Sequence, residues 1–519
     1  MRNTKLLAAF FLFSVLTLLF ASPDSYLYDL WLREDSAWFF VNGKAWMNGM
    51  EPYVDFADSK GPLLFLIYGI GYLLSPYNYL GIFWLSCVVY TICFFLTYKS
   101  ARIFIDHRHA LLATFLMALA YFFPAIHWEV RAEDFCLPFV LLSFYAFLAL
   151  FYKQKELPAD RQINRYAFFF GISLGATLMI KFSVTAIIGI FPLMGIIYVI
   201  REKRLTPQTI GYGLAGLAVP TLPFLLYFLI KGTTSAFFTE YFSNTLSTVS
   251  KNQGVLQTNI FEIMYLFRNS TRLLLLLSGI FGCIYISRRL SKWRYSILIG
   301  FLWFVLLGTK HTFLVMFNHY FFPSLVFQLF TIIFLIDFFL QGKTVTRLRV
   351  VATAALVCLF IAPWSLFRFT GGKALSADLF AYDSEYRQEY YTVAYLMSQV
   401  PNPTYTNWAQ RIEMGIGMPV NALPGIKYNT QQSGATKEMC ESMKTDITEK
   451  KPDFVVLRLV EEFPERSAYL KQLGYHECYF FTNVIWNEKC CLLTRHNVKM
   501  PPPSFKVTPT DVLFKRKIF

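Results

Sequence analysis

Charged residues are scarce in this sequence, and acidic ones are the scarcest. Only 16% of the 519 residues are charged, with 33 Asp and Glu against 48 Lys and Arg. A chain this poor in charge falls outside the range of soluble domains. There is also no CxxC motif and no Cys/His spacing of the kind that binds a metal, so no metal site or other cofactor is indicated, although a divalent cation is not excluded.

Apolar residues take the place of the charged ones. They make up 55% of the chain, aromatic residues make up 18%, and the mean hydropathy is +0.43. A hydrocarbon core of about 30 Å needs about 20 apolar residues per helix, and roughly eleven such stretches precede residue 370. The Lys and Arg residues that give the net charge of +15 lie in short clusters between these stretches. The charge therefore indicates membrane topology and not nucleic-acid binding.

Basic loops predict how the chain crosses the membrane, because Lys and Arg mark the cytoplasmic side. The predicted cytoplasmic segments are the N-terminus and residues 99–109, 153–165, 201–204, 288–294 and 342–349. They imply eleven spans, with an N-terminal helix that is retained and not cleaved, near residues 5–22, 79–98, 110–126, 135–152, 166–181, 183–200, 208–230, 271–287, 295–309, 320–341 and 350–368.

The outer loops are unequal in length. The first, 23–78, contains an apolar segment at 62–75 that is too short to span and is interpreted as a juxtamembrane or re-entrant helix. Shorter outer loops follow at 127–134, 231–270 and 309–319. The loop at 231–270 is rich in aromatic residues, which indicates either a helix lying in the membrane interface or a plain aromatic belt.

The composition becomes that of a mixed globular domain from about residue 370. Helical patterns at 436–450 and 465–473 alternate with a strand at Phe454–Val460, the segment Cys478–Phe481 and a strand at Lys489–Thr494. We therefore predict an all-α membrane domain at 1–369 and a small extracytoplasmic α/β domain at 370–519. The tail cysteines, which allow a disulfide of unknown pairing if the tail faces an oxidising compartment, are Cys440, Cys478, Cys490 and Cys491.

The first outer loop contains acidic residues close to the predicted membrane surface. Glu34 and Asp35 follow the first span, and Tyr53, Asp55 and Asp58 lie further along the loop. A carboxylate in this position can accept a proton from an incoming hydroxyl or amine, and Asp35 is the first choice for that catalytic role. The alternative is that these residues only favour the start of a helix through its dipole.

A second acidic pair, Glu133 and Asp134, follows Arg131 in the next outer loop. Both acidic clusters face the same predicted compartment, so we expect Asp35 and Glu133 to open into one chamber. Capping of a helix is again the alternative for Glu133 and Asp134.

Several cations fall on the same predicted side. Lys60 precedes a Gly-Pro turn, where an ammonium group can meet a lipid phosphate, although snorkelling to the headgroups explains many interfacial lysines. Lys181 ends a span, and Lys310, His319 and Tyr320 lie in or beside the last outer loop. Together these residues are predicted to bind a phosphorylated donor. The other residues predicted to bind substrate are Tyr53, Asp55 and Arg131, and Glu34, Glu133 and Asp134 are further catalytic candidates beside Asp35.

These motifs resemble the first-loop signature of the C-type membrane glycosyltransferases, and in particular of the protein O-mannosyltransferase and aminoarabinose transferase group. The resemblance rests on Glu34-Asp35, on Gly49 and on Lys60-Gly61-Pro62-Leu63, although the acidic pair is reversed and Gly61 replaces a proline. Arg131-Ala-Glu133-Asp134 and His319-Tyr320 resemble later motifs of the group.

The resemblance implies a GT-C fold, a sugar donor linked to polyprenyl phosphate and an inverting transfer with little or no metal dependence. It also implies that a carboxylate is the base and that Lys60 lies near the donor phosphate. The acceptor would be a lipid, a glycan or a protein at the outer face of a bacterial inner or plasma membrane, in the periplasm or cell envelope.

Two other functions stay open at this point. A transporter or flippase of lipid-linked sugars is the main alternative, although such proteins place ionisable residues near the midplane and often show repeated halves, which this sequence lacks. An inactive scaffold for an envelope complex is the third.

Overall fold

The structure is a computed structural model that describes residues 2–22, 24–25, 35–122, 130–152, 159–244, 270–290, 293, 295–310, 318–340, 385–408, 414–429, 437–483 and 488–501. Its helices are α1 Arg2–Ala21, α2 Asp35–Met47, α3 Pro62–Leu74, α4 Leu80–Ala101, α5 His107–Tyr121, α6 Ala132–Tyr152, α7 Asp160–Ile180, α8 Phe182–Ile188, α9 Ile190–Arg201, α10 Pro207–Lys231, α11 Thr234–Phe237, α12 Ser270–Arg288, α13 Ser296–Lys310, α14 Gln328–Leu340, α15 Glu385–Ser398, α16 Lys437–Lys450 and α17 Phe463–Gln472. A π-helix covers Phe238–Ser243, and 3₁₀ helices cover Asn318–Phe327 and Met414–Val420.

The chain divides into two compact units, each made of separate segments. Unit 1 consists of Met1–Ser22, Ser86–Ile230 and Leu246–Phe367. Unit 2 consists of Pro23–Leu85, Lys231–Thr245 and Arg368–Phe519. The first outer loop therefore belongs to the same unit as the C-terminal region.

Apolar helices confirm that this is a multi-pass membrane protein. Six described helices are long and apolar enough to cross a bilayer: Leu80–Ala101, Ala132–Tyr152, Asp160–Ile180, Phe182–Arg201, Pro207–Lys231 and Phe321–Leu340. Ten of the eleven predicted spans overlap a helix, and the eleventh, 350–368, lies outside the described residues. The total of eleven spans and the orientation of the loops stay predictions.

Helix α6 lies at the centre of unit 1 and is buried over most of its length. The Phe144 ring packs against Phe191, Phe327 and Phe330, with ring centroids 5.7, 5.3 and 5.6 Å away. Interlocking aromatic side chains suit a membrane interior, where close packing replaces the hydrophobic effect as the force that joins helices. This packing fixes the first turn of α6, which carries Glu133 and Asp134.

In unit 2, helices α2 and α3 pack closely together. A Cβ atom added to Gly43 would lie 2.4 Å from the backbone nitrogen of Gly69, so a glycine is required where the two backbones meet. Pro62 occupies the first turn of α3, where its fixed φ suits a helix start and its missing N–H costs nothing. The predicted short helix at 62–75 thus exists, with 13 residues.

A five-stranded sheet forms the core of the C-terminal region. Its strands are β1 Thr404–Asn407, β2 Leu423–Pro424, β3 Phe454–Arg458, β4 His476–Asn483 and β5 Glu488–Thr494, in the order β2-β1-β3-β5-β4. β1 is parallel to β2 and β3, whereas β5 is antiparallel to β3 and β4. The strands predicted at 454–460 and 489–494 are present, but the short strands β1 and β2 were missed, because both are brief and are defined by distant partners.

The tail cysteines form no disulfide with one another in the described structure. Cys490 and Cys491 lie on β5 and are buried, and Cys478 lies on β4. Burial raises the pKa of the Cys478 thiol to about 12, which keeps it protonated near neutral pH. The described structure therefore uses these side chains as small packing groups.

The aromatic run after α10 is only partly exposed. Phe237 and Tyr241 are fully buried and their rings contact Tyr53, with centroids 5.4 and 6.2 Å away, whereas Phe238 is 47% exposed. These aromatic side chains do not all face lipid, as they would in an interface helix, because the π-helix turns Tyr241 inward against the first outer loop.

The crossing of α2 and α3 yields a first test. Gly43→Leu should lower the free energy of unfolding by about 1–3 kcal/mol, the usual cost of overpacking, because the new side chain collides with the α3 backbone. Thermal unfolding of the purified protein in detergent measures the effect. Gly211→Leu is the matched control, since nothing lies within 4 Å of a Cβ at Gly211. Equal stability of the two variants would contradict the close crossing.

Candidate active site

The turn that precedes α3 is held by Tyr53. This residue is fully buried, adopts a left-handed backbone conformation with φ of 68°, and donates its hydroxyl hydrogen to the Lys60 carbonyl oxygen at 2.7 Å. The carboxylate of Asp55 accepts a hydrogen bond from the Glu51 backbone N–H at 2.7 Å. Tyr53 and Asp55, both predicted to bind substrate, thus use their polar groups to shape the loop that carries Lys60.

Lys60 lies among groups from both ends of the first outer loop. Its ammonium is 5.6 Å from the centre of the Phe39 ring, 3.1 Å from the Ser59 hydroxyl and 3.8 Å from an Asp58 carboxylate oxygen. Phe39 lies one turn after Asp35 on α2, and Asp35 is close enough to Asp58 to interact with it electrostatically. Asp58 thus pairs with Lys60 and lies within electrostatic range of Asp35, and we call these three residues the loop cluster.

Asp58 is the most buried member of the loop cluster, with 6% of its surface exposed. Burial raises the pKa of this carboxyl, Lys60 opposes that effect, and Asp35 adds to it. One Asp58 carboxylate oxygen has no hydrogen-bond partner among the described residues. A buried, incompletely bonded carboxyl group beside an ammonium is a common arrangement in sites that bind a charged substrate.

A second cluster lies in unit 1, at the start of α6. Glu133 forms an ion pair with Lys181, and the two side chains are only 4% and 12% exposed. Lys181 lies between α7 and α8, where its extended backbone interrupts the helix and directs the side chain toward α6. The sequence predicts Glu133 and Lys181 as separate candidates, and the structure joins them in one ion pair.

Asp134 is bound from two sides. Its carboxylate accepts hydrogen bonds from the Tyr90 hydroxyl at 2.5 Å and from the Arg131 backbone N–H at 2.8 Å. The second bond is that of a helix cap, the alternative weighed for this residue. Arg131 is 5% exposed and lies within electrostatic range of Glu133.

Four other predicted site residues are not described at the level of contacts. Glu34 lies outside the described residues, and the side chains of Lys310, His319 and Tyr320 are not described, although their backbones form the end of α13 and the following 3₁₀ helix. Their proposed roles stay predictions.

A third group of charged residues was missed by sequence reasoning. Glu240, on the π-helix, accepts hydrogen bonds from the Tyr428 hydroxyl at 3.0 and 3.1 Å and pairs with the Lys427 ammonium at 2.6 Å. The Lys427 carbonyl in turn accepts from the backbone N–H of Ala57, next to Asp58, at 3.0 Å. The only sequence signal was a lone acidic residue inside an aromatic run.

Asp24 and Lys44 were also missed. Both are fully buried within unit 2. Charged side chains are seldom buried without a specific partner or function, so these two residues join the candidates for the site.

The two clusters provide a limited set of chemical functions. They offer carboxylates that can accept a proton and ammonium groups that can neutralise a phosphate. Within the described residues, no group of three or more His, Cys, Asp or Glu side chains is placed to hold a metal ion.

Comparison with known proteins agrees with this interpretation. Residues 59–228 match the model of the dolichyl-phosphate-mannose-protein mannosyltransferase family. No curated protein sequence matches the chain significantly.

Solved structures match over almost the whole chain. ArnT from Cupriavidus metallidurans bound to undecaprenyl phosphate is similar with a TM-score of 0.61 and 12% identity, covering 93% of this chain and 97% of that one. Its apo state gives a TM-score of 0.57 and 11% identity, covering 95% and 98%. The oligosaccharyltransferase AglB from Archaeoglobus fulgidus, in complex with an inhibitory peptide and a dolichol-phosphate, gives 0.50 and 12%, covering 91% and 72%.

The chain thus has the same fold as these solved structures, the GT-C fold. The resemblance drawn from its first-loop motifs, to the protein O-mannosyltransferase and aminoarabinose transferase group, is confirmed.

The ion pair of Glu133 and Lys181 yields a second test. Lys181→Met should lower the free energy of unfolding by about 3–5 kcal/mol, because it leaves the Glu133 carboxylate buried without its partner. The double variant Glu133→Gln, Lys181→Met should recover most of that loss. Thermal unfolding of both variants and of Glu133→Gln completes the cycle, and strictly additive effects would contradict direct pairing.

Proposed function

We propose that this protein transfers a sugar from a polyprenyl-phosphate-linked donor to an acceptor at the outer face of the membrane. The convergence of Asp35, Asp58 and Lys60 carries the proposal, because it combines a base and a phosphate-binding cation in one place. The GT-C fold and the match of residues 59–228 to a family that uses a lipid-linked sugar support it.

The reaction needs a proton acceptor and a stabilised leaving group. The acceptor hydroxyl or amine attacks the anomeric carbon of the sugar as the bond from that carbon to the phosphate oxygen breaks. Asp35 takes the proton, and the bonding electrons leave with the polyprenyl phosphate. Attack opposite the leaving phosphate inverts the configuration of the anomeric carbon.

Lys60 neutralises the charge that develops on the leaving phosphate. Its ammonium is held by the Phe39 ring and by Asp58, and its backbone is held by Tyr53. A cation held in place before the reaction stabilises developing charge better than one that must reorganise. Tyr53 and Asp55 are therefore positioning residues in this proposal.

The cluster at the start of α6 supplies further charge. Lys181 and Arg131 are placed to attract an anionic substrate, and Glu133 positions Lys181 through their ion pair. That Asp35 and Glu133 share one chamber stays a prediction, as does catalysis by Glu34, Glu133 or Asp134.

The acceptor class is a lipid, a glycan or a protein, and the C-terminal α/β region is proposed to lie outside the cytoplasm of a bacterial cell. The transporter alternative gains no support from the family match or from the fold. Counterflow of labelled substrate in proteoliposomes would favour it over the transferase.

Replacement of the proposed base gives a third test. Asp35→Asn should abolish transfer from a radiolabelled lipid-linked donor while the protein stays folded in the membrane, because the amide cannot accept the proton. Glu51→Gln is the matched control, since Glu51 lies in the same loop in a partly exposed pair with Lys231 that contributes little. Normal transfer by Asp35→Asn would refute the assignment of the base.

The pKa of Asp58 gives a fourth test. Because burial raises this pKa, acidification from neutral pH protonates Asp58 before an ordinary carboxyl and releases Lys60 from the pair. The KM for the lipid-linked donor should therefore fall as the pH is lowered.

Asp58→Asn should already have this lower KM at neutral pH, by about two- to five-fold, and should lose its pH dependence. The donor KM is measured from pH 5 to 8, separately from kcat. A KM with the same pH profile in wild type and variant would exclude Asp58 as its source.

A further inference from the structure

An apolar cavity in unit 1 is lined by none of the residues of the two acidic clusters. It measures about 270 Å³ and lies between α7, α9 and α10. Among the lining residues only Tyr166 and Thr209 carry a polar group, and the Thr209 hydroxyl is already bonded to Asn164 at 2.7 Å. A water molecule in this cavity would find few hydrogen-bond partners, so the cavity favours an apolar occupant.

The cavity opens sideways toward the surroundings of the helices. Ile196, Ile210 and Leu214 line it, yet they are 50%, 51% and 60% exposed. All three lie on predicted membrane spans, where the surroundings are lipid chains. A lipid chain can therefore enter without crossing water.

One end of the cavity lies beside a group of cations. Arg161 and Arg165 lie on α7, next to the lining residues Ile163 and Tyr166, while Lys203 lies two residues before the lining residue Leu205. The guanidinium of Arg165 lies over the Tyr166 ring at 5.7 Å, which places it at the rim.

Arg201 is the fourth cation of this rim. It ends α9, two residues after the lining residue Val199. All four side chains, which we call the basic rim, are exposed: Arg161, Arg165, Arg201 and Lys203.

No acidic side chain in the described ranges neutralises the basic rim. None of its four residues forms an ion pair with any residue in the described part of the chain, in contrast to nearby Arg204, which binds Asp160 at 2.5 Å. Two of them are instead held by aromatic rings, Arg165 over Tyr166 and Phe169 and Arg201 over Trp293 at 5.2 Å. Cations kept in position without an acidic partner suit an anionic ligand.

We propose that this cavity and the basic rim form a binding site for one anionic phospholipid. Its phosphate lies against the basic rim, and one acyl chain enters the cavity between α7 and α10. The loops that carry the rim are predicted to face the cytoplasm, where anionic lipids concentrate and basic pockets between helices bind their headgroups. The site is separate from the proposed transfer reaction and does not depend on it.

Lipid binding to the purified full-length protein tests the proposal. The delipidated protein in detergent is titrated with phosphatidylglycerol or with phosphatidylcholine, and bound lipid is counted by native mass spectrometry. Phosphatidylglycerol should bind more tightly, and the variant Arg161→Gln, Arg165→Gln, Lys203→Asn should weaken it by about five-fold for each cation removed. Asparagine is chosen at Lys203 because that residue has a φ of 52°, which asparagine tolerates.

A variant that fills the cavity tests the role of the cavity independently of the cations. Gly213 lines the cavity and has room for a side chain, since a Cβ there would approach only the Ala167 carbonyl oxygen, at 3.8 Å. Gly213→Leu should therefore displace the acyl chain and reduce phosphatidylglycerol binding, whereas Gly211→Leu, two residues away on the same helix and outside the cavity, should not. Arg108→Gln, at an exposed cation of a different basic loop, is the charge control.

Three results would overturn the site. Equal affinity for the two phospholipids would remove the role of the basic rim. Unchanged phosphatidylglycerol binding by Gly213→Leu would remove the role of the cavity, even if the triple variant failed to fold. Displacement of phosphatidylglycerol by equimolar polyprenyl phosphate, with the same sensitivity to these variants, would assign the cavity to the donor lipid.

Discussion

The close crossing of helices α2 and α3 is the constraint on which the loop cluster depends. Asp35 begins one helix and Lys60 directly precedes the other, so contact of the backbones at Gly43 and Gly69 sets the distance between a proposed base and a proposed phosphate-binding cation. The long connection between the helices does not separate these residues, because the fully buried Tyr53 donates its hydroxyl hydrogen to the Lys60 backbone carbonyl. Packing of the two helix backbones thus holds the residues of this site in fixed positions, as a rigid scaffold does for many catalytic loops.

Buried charge is used sparingly and is compensated locally. Glu133 pairs with Lys181, Asp134 accepts bonds from Tyr90 and from the helix start, and Glu240 pairs with Lys427. In a medium of low dielectric constant each of these charges would be costly alone. The same medium strengthens their effect on a substrate, which is why a membrane enzyme can achieve electrostatic catalysis with few charged residues.

The C-terminal region belongs to the same compact unit as the first outer loop, although more than 280 residues separate them in the chain. The link is specific: the Lys427 carbonyl binds the Ala57 backbone, and the Lys427 ammonium binds Glu240. The C-terminal region, which composition alone predicts to be a separate domain, therefore supports the loop that carries Asp58 and Lys60. Its sheet offers no catalytic motif of its own, so positioning is the role that the contacts favour.

The sequence by itself determined the class of protein, the helical pattern and the Lys60-Gly61-Pro62 turn, because hydropathy and turn chemistry are local properties. It also predicted the two strands with a strong apolar pattern, at 454–460 and 489–494, which the structure has at Phe454–Arg458 and Glu488–Thr494. Only the tertiary structure decided that Tyr53 shapes a turn, that Glu133 and Lys181 form a pair, and that Glu240 binds Tyr428 across 188 residues of sequence. These contacts join residues far apart in the chain, and one sequence carries no record of which distant polar groups satisfy one another when burial removes water.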